Sequence, residues 1–459
     1  MGYSTKYIKW FKNLGGQVTL ITAERKNTMA TLTNVRGPES EFTRGEPGSG
    51  PEFRPRSVEE LDVRQTVLED IALKTLYVNG SMSVLGLASK LKLSYEIATE
   101  LFNKMRSTLL CQVTGMTGTI PQIAITSEGR SRATDLLQQS SYTGAAPVSF
   151  ENYVTQTRKQ SVQKVDVHTE DVERAFAHLV LSRELLDQLG TALNSGEAIF
   201  LYGPSGVGKT TIAEVLSRVL AEDAVWIPHA VEVDGQIITV FDSSIHKLAP
   251  ESEHQEYDTR WVRCQRPAVM VGGELTIEMM DMQFNPSLRY YAAPVQMKAN
   301  NGVLIIDDFG RQRLRPDELI NRWIVPLDRR VDFLTLVGGK KIDVPFEMLV
   351  VFASNKDPAE LVDPAFYRRI PTKIHIGAVP DDQFCEIFRR VAEQKQVTYD
   401  PWIPNDLMEF VKNSINQELR HCYPRDIVNQ VCWAARYEGK KPHIDRPALM
   451  RAIDSYFLK

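Results

Sequence analysis

Gly203-Pro204-Ser205-Gly206-Val207-Gly208-Lys209-Thr210 is the stretch on which the reading of this 459-residue chain turns. The short apolar run Ala198-Ile199-Phe200-Leu201-Tyr202 precedes it, in the form of a strand buried on both faces of a parallel sheet. Thr211-Ile212-Ala213-Glu214-Val215-Leu216 follows with the apolar spacing of an amphipathic helix. A glycine-rich turn between strand and helix leaves backbone N–H groups and a helix N-terminus free to hold anionic oxygens, and the macrodipole adds to the attraction. In that context Lys209 is expected to reach the β and γ phosphates and the Thr210 hydroxyl to ligate Mg²⁺. Gly203, Pro204, Ser205, Gly206, Val207, Gly208, Lys209, Thr210 and Thr211 are therefore the expected nucleotide-binding residues, with ATP and Mg²⁺ as cofactors.

A second apolar strand signal, Val303-Leu304-Ile305-Ile306, ends in Asp307-Asp308. Paired carboxylates at such a strand end supply what the phosphate loop lacks. Asp307 is expected to hold the Mg²⁺ shell, and Asp308 to polarise the attacking water as a general base. A third apolar run, Leu349-Val350-Val351-Phe352-Ala353-Ser354, ends in Asn355. Asn355-Lys356 opens like a guanine-reading N-K-x-D, but Pro358 stands where the acid is needed, so adenine is the expected base. Asp363-Pro364-Ala365-Phe366-Tyr367-Arg368-Arg369-Ile370 comes next, and Tyr423-Pro424-Arg425-Asp426 later opens a helix.

In this order and spacing, residues 170 to 459 resemble the AAA+ ATPases. The resemblance implies that Asn355 is a sensor that helps place the water near the γ-phosphate. Arg369 matches the arginine finger, with Arg368 as the alternative, and Arg425 matches the second sensor at the start of a lid helix. A finger that reaches a neighbour's nucleotide implies a ring, expected to be a hexamer. The interval between phosphate loop and strand-end acids is long for a compact α/β repeat. Within it, Ala230 to Val240 alternates like a hairpin around Asp234-Gly235. Lys298-Ala299-Asn300-Asn301-Gly302 resembles the helix-2-insert branch, such as MoxR-like and enhancer-binding ATPases. By that resemblance Phe284, Tyr290 and Tyr291 are either pore aromatics or ordinary packing residues.

The expected fold class is α/β: a doubly wound parallel sheet with a helical lid and a small α+β domain before it. Residues 1–57, rich in Gly, Pro, Ser and Glu after Arg36, are read as a disordered leader and linker. Residues 58–145 predict helices from Val58 to Val78, Val84 to Leu91 and Tyr95 to Ser107, then two strands and a last helix from Ser127. This order resembles a winged helix. Its eight Lys/Arg against nine Asp/Glu, and a wing with no basic residue, offer DNA phosphates little. Residues 146–170 read as a polar connector, 171–376 as the large ATPase domain and 377–459 as the helical lid.

The net charge of −4 gives no global case for nucleic acid or an anionic membrane. No apolar run approaches the ~18 residues of a membrane span. The five cysteines are far apart, so neither a disulfide framework nor a zinc site is expected, and a cytoplasmic protein is. The expected activity is ATP hydrolysis that remodels a macromolecular, chiefly protein, partner. A DNA-directed motor or regulator, and a low-turnover nucleotide-dependent scaffold or switch, are the competing expectations.

Overall fold

Five strands build the sheet that positions the phosphate loop, named β1 to β5 in chain order. They are β1 (Ile199–Tyr202), β2 (Ala268–Val271), β3 (Val303–Ile306), β4 (Leu349–Ser354) and β5 (Thr372–His375). All neighbours are parallel, in the spatial order β2-β3-β4-β1-β5. Successive side chains point to opposite faces, and here both faces are covered. Ile199, Leu201, Val303, Ile305, Leu349 and Val351 pack with Leu189, Leu193, Ile212 and Leu216 of helices Arg183–Ser195 and Lys209–Leu220. Phe200, Leu304, Ile306, Val350 and Phe352 pack with Leu319, Ile320 and Trp323 of helix Pro316–Arg329. Burial on both sides explains why β1, β3 and β4 are apolar throughout, whereas the edge strand β5 carries Thr372, Lys373 and His375.

The computed structural model describes residues 54–221, 223–250, 257–361 and 367–457, together with strands Asn13–Leu14 and Gln17–Val18. Residues 1–46 form one unit, in which those two strands pair antiparallel, and residues 47–459 form the other. Most of the expected linker, and Asp363 to Phe366, lie outside the described residues.

Residues 54–145 fold as helices Gln65–Asn79, Val84–Leu91 and Tyr95–Ser107, the antiparallel strands Cys111–Thr117 and Ile120–Ile125, and helix Ser127–Gln139. Ser83, Ser94 and Thr126 cap their helices by accepting from Gly86, Ile97 and Gly129 N–H. The first helix begins at Gln65, seven residues after the expected Val58. Asp62 is the reason: its carboxylate accepts from Ser149 N–H and Asn152 Nδ2 and pairs with Arg260, which holds residues 58–64 against distant chain.

The stretch between phosphate loop and strand-end acids builds a second sheet. The hairpin Ala230–Val233/Gln236–Thr239 turns at Asp234-Gly235, both at positive φ as a tight hairpin requires. Tyr290–Ala292 and Gln283–Asn285 extend it on one side and Val148–Ser149 on the other. The expected polar connector is thus ordered: strand Val148–Ser149 leads into helix Phe150–Lys159. That helix is held through buried amides. Asn301 Nδ2 donates to Thr157 O at 2.7 Å, Asn300 Nδ2 to Tyr153 OH at 3.0 Å, and Arg266 Nη1 to both Gln160 O and Asn301 O at 2.7 Å.

Residues 381–456 are mainly helical: Asp381–Gln394, Ile403–Glu409 continued to Ser414, Cys422–Tyr437 and Arg446–Tyr456. They share a core of Phe384, Phe388, Leu407, Ile427, Val428 and Ile453. Among the described residues no helix is long and apolar enough to cross a membrane, and the five cysteines are free thiols.

Candidate nucleotide site

The phosphate loop leaves β1 at its C-terminal end, where two glycines are required. Gly203 has φ +142°, and a Cβ there would lie 2.1 Å from Ile376 O, so only a bare backbone lets the loop pass β5. Gly206 has φ +84°, and its missing side chain makes room for Cys422 Sγ. Helix Lys209–Leu220 then starts from Gly208 with no side-chain cap, leaving its first N–H groups for a ligand. Lys209 Nζ donates to Gly203 O at 2.9 Å and Pro204 O at 2.8 Å, so it arches back over the loop. Burial is the largest influence on Lys209 and lowers its pKa, Asp308 and Asp307 oppose that, and Arg311 adds to it.

Parallel pairing of β3 with β4, and of β4 with β1, brings three strand ends together. Thr210 Oγ1 stands 3.0 Å from both carboxylate oxygens of Asp307. A hydroxyl beside one carboxylate is a hard-oxygen pair that fits Mg²⁺, which typically takes one or two carboxylates and completes its shell with phosphate oxygens and water. Among the described residues no cluster of three or more His, Cys, Asp or Glu could hold a metal by itself. The pair at Thr210 would thus hold the ion only with a nucleotide's oxygens.

Asp308 follows at φ +51°, a left-handed turn that costs an ordinary residue about 1 kcal/mol or more and that Asp tolerates better than most. Two contacts fix it. Phe309 N–H donates to Ala353 O at 2.7 Å, and Ser354 Oγ donates to Phe309 O at 2.7 Å. Asp308 is exposed while Asp307 is half-buried, so the two acids have different surroundings one residue apart. Asn355 directly follows Ser354, whose register partner is Tyr202 at the root of the phosphate loop. Asp307, Asp308 and Asn355 therefore meet the loop at one end of the sheet.

Arg368 and Arg369 are elsewhere. They precede β5, whose Thr372 pairs with Ile199, at the opposite end of the sheet beside Glu197, Ala198 and Met348. Arg369 Nε donates to Asp328 Oδ2 at 2.8 Å. Arg425 lies in the first turn of helix Cys422–Tyr437, is exposed, and bonds its neighbour Asp426 at 2.9 Å. That helix does reach the loop, through residues the sequence reading passed over. Cys422 N–H donates to Gly206 O at 3.1 Å, and Arg420 Cδ lies 3.6 Å from where a Gly206 Cβ would stand. Arg420 stands two residues before Cys422, beside that backbone bond. Its only sequence signal was its place five residues before Arg425.

The aromatics Phe284, Tyr290 and Tyr291 belong to packing. Tyr291 is fully buried and its hydroxyl accepts from Val337 N–H at 2.8 Å. Tyr290 meets Tyr142 edge-on at 5.5 Å, and Phe284 packs on Tyr291 at 5.0 Å.

Residues 178–325 match the family model described as AAA ATPase domain, and residues 380–455 match a domain of unknown function. No curated protein matches the chain. Solved structures similar to it include NtrX from Brucella abortus, 14% identical over 62% of this chain and 57% of that one, with a TM-score of 0.39. NtrX in complex with ADP is 14% identical over 68% and 62%, with a TM-score of 0.36. The Thermotoga maritima RuvB Holliday junction branch migration motor is 14% identical over 67% and 72%, with a TM-score of 0.34. The phosphate loop, Asp307 and Asp308 all lie inside the stretch that is similar to the AAA ATPase domain, on a mixed α/β P-loop fold.

Proposed function

We propose that the protein is an AAA+ ATPase that hydrolyses Mg²⁺-ATP in a ring, a hexamer, and uses the motion to remodel a protein partner. The observation that carries the reading is the junction of Thr210 with Asp307, which joins the loop to the strand-end acid. In this reading the loop N–H groups, Lys209 and Thr211 hold the phosphates, and Arg420 closes over them from the lid. Mg²⁺, held by Thr210 and Asp307, would neutralise developing charge on the phosphates. Asp308 accepts the proton of the attacking water, and Asn355 orients that water. Arg369, or Arg368, serves the neighbouring subunit's nucleotide, since it faces away from the loop of its own chain. Arg425 remains the second sensor in this scheme, reached by lid rotation.

Residues 58–145 are proposed as a winged-helix-like module that engages protein, because the strand Cys111–Thr117 exposes Val113 and Met116 and no cation. The hairpin Gln283–Ala292 between β2 and β3 is consistent with the helix-2-insert branch. The test is nucleotide binding and turnover by the full chain and by Lys209→Ala. Loss of ATP binding in the variant is expected. Undiminished ATPase activity in it would remove the site assignment.

A further inference from the structure

Helix Cys422–Tyr437 bonds the phosphate loop through its first residue and ends in a surface with no role in the scheme above. At about 1.5 Å per residue, Trp433 and Tyr437 stand roughly 16–23 Å along the helix from Cys422. Four residues apart, they share one helix face. Trp433 is 60% exposed and Tyr437 94%, the latter more than any other large apolar or aromatic side chain among the described residues. Between this helix and helix Arg446–Tyr456 runs a groove of about 520 Å³. The buried Ala448 and Ala452 floor it together with Ala434, where small side chains leave room, and Trp433 and Tyr437 line it beside them.

The acids of this groove are already engaged, whereas two of its cations are not. Glu438 accepts from Lys440 Nζ at 2.8 Å, and Asp445 accepts from Ala448 N–H at 2.8 Å as the cap of its helix. Lys441 and Arg451 also line the groove, are exposed, and form no ion pair among the described residues. The site thus presents an aromatic pair, an apolar floor and a surplus of positive charge. Trp and Tyr are the side chains that most often anchor protein interfaces, and cations at the rim select carboxylates. A nucleic-acid strand fits less well, because it brings a phosphate with every nucleotide past Glu438 and Asp445 and draws its affinity from many cations rather than two.

We propose that this groove docks an acidic segment of a partner protein, with an aromatic or aliphatic side chain set against Trp433 and Tyr437 over the alanine floor and flanking carboxylates on Lys441 and Arg451. The inference rests on the protein-partner reading and deepens it, giving the partner a chemistry and the helical region a surface to hold it. Covering the two rings removes apolar area from water, which supplies affinity. The carboxylates fix which segment is accepted, since a basic segment would meet like charge at both Lys441 and Arg451.

The test is fluorescence anisotropy of the full chain with three labelled probes. One peptide carries an apolar anchor of Phe and Leu between runs of glutamate, a second carries the same anchor between runs of lysine, and the third probe is oligothymidylate. Wild type is expected to bind the glutamate peptide about tenfold or more tighter than either of the others. Trp433→Ala should weaken that binding about tenfold, and Tyr437→Ala should weaken it too. Both side chains are exposed, so neither variant should disturb the fold. Lys441→Glu combined with Arg451→Glu should turn the preference toward the lysine peptide. Failure of wild type to bind the glutamate peptide, undiminished binding in both aromatic variants, or a preference untouched by the double charge reversal would each overturn the proposal. Oligothymidylate bound more tightly and released by the same variants would make the groove a nucleic-acid surface, and loss of self-association in Trp433→Ala, read by light scattering, would make it a contact between copies; either result overturns it. ATP binding is measured on the same samples. A wild type that binds ATP but not the glutamate peptide defeats the groove alone, whereas one that binds neither defeats the ATP-site reading as well.

Discussion

The two ends of the parallel sheet are built for different work. The C-terminal end gathers the phosphate loop, Asp307, Asp308 and Asn355, with Cys422 of the helical region bonded to Gly206. The N-terminal end carries Arg368 and Arg369 among Glu197, Asp328 and Arg330. One end offers N–H groups and carboxylates, with Arg311 in the turn after β3; the other offers Arg368 and Arg369 without a phosphate loop. In the proposed scheme these ends would be two complementary half-sites that the chain's own sheet keeps apart. Strand direction alone imposes this, since parallel strands place every strand exit on one edge and every entry on the other.

The largest effect should come from separating those ends genetically. Arg369→Ala is expected to retain ATP binding and lose about 10³-fold or more of turnover. Mixing it with Lys209→Ala subunits should restore part of the activity, because each variant supplies the end the other lacks. Steady-state ATPase rates across mixing ratios check this; no recovery at any ratio would mean that the two ends do not cooperate between chains. Within the C-terminal end, Asp308→Asn should bind ATP normally and lose about 10²–10⁴-fold in kcat. A matched fall in affinity would instead assign Asp308 to ground-state binding.

The smallest effect on turnover, though not on stability, lies away from both ends. Arg260 is buried between Asp62 (2.6 Å) and Asp258 (2.7 Å) and donates to Pro147 O at 2.9 Å. Arg260→Met strands two carboxylates and should cost about 3–5 kcal/mol, read by denaturant unfolding, with little change in the kcat of folded protein. The pH dependence follows the same group. Burial opposes the ionisation of Asp62, but the Arg260 charge and the hydrogen bonds from Ser149 and Arg260 outweigh it and hold the pKa below 3.8. A carboxylate depressed in the folded state stabilises above its unfolded pKa of about 3.9 and loses that contribution as pH falls through the folded value. The penalty of Arg260→Met should accordingly shrink below about pH 4, as Asp62 becomes neutral.

What the sequence made legible was whatever depends on neighbours in the chain. The apolar runs of β1, β3 and β4 and the Asp234-Gly235 turn are local signals, and each lies where local physics puts it. The failures are long-range. Residues 146–170 read as a loose connector because their partners, Asn300, Asn301 and Arg266, stand more than a hundred residues away. Residues 58–64 read as helix because nothing near Asp62 announces Arg260. Phe284, Tyr290 and Tyr291 read as either pore or packing residues because the sheet that buries Tyr291 is assembled from five strands in three distant stretches. At the candidate site the phosphate loop and both acids were fully legible. Cys422 was not, because its bond to Gly206 comes from how the helical region seats on the loop.

The amide cluster at Asn300 and Asn301 has a mechanical consequence. Helix Phe150–Lys159 is bonded to the two residues that lead into β3, so the chain between the first module and the ATPase core is not a slack tether. A protease probing the intact protein should find residues 150–160 resistant, and a force applied to the first module would arrive undamped at the strand that ends in Asp307.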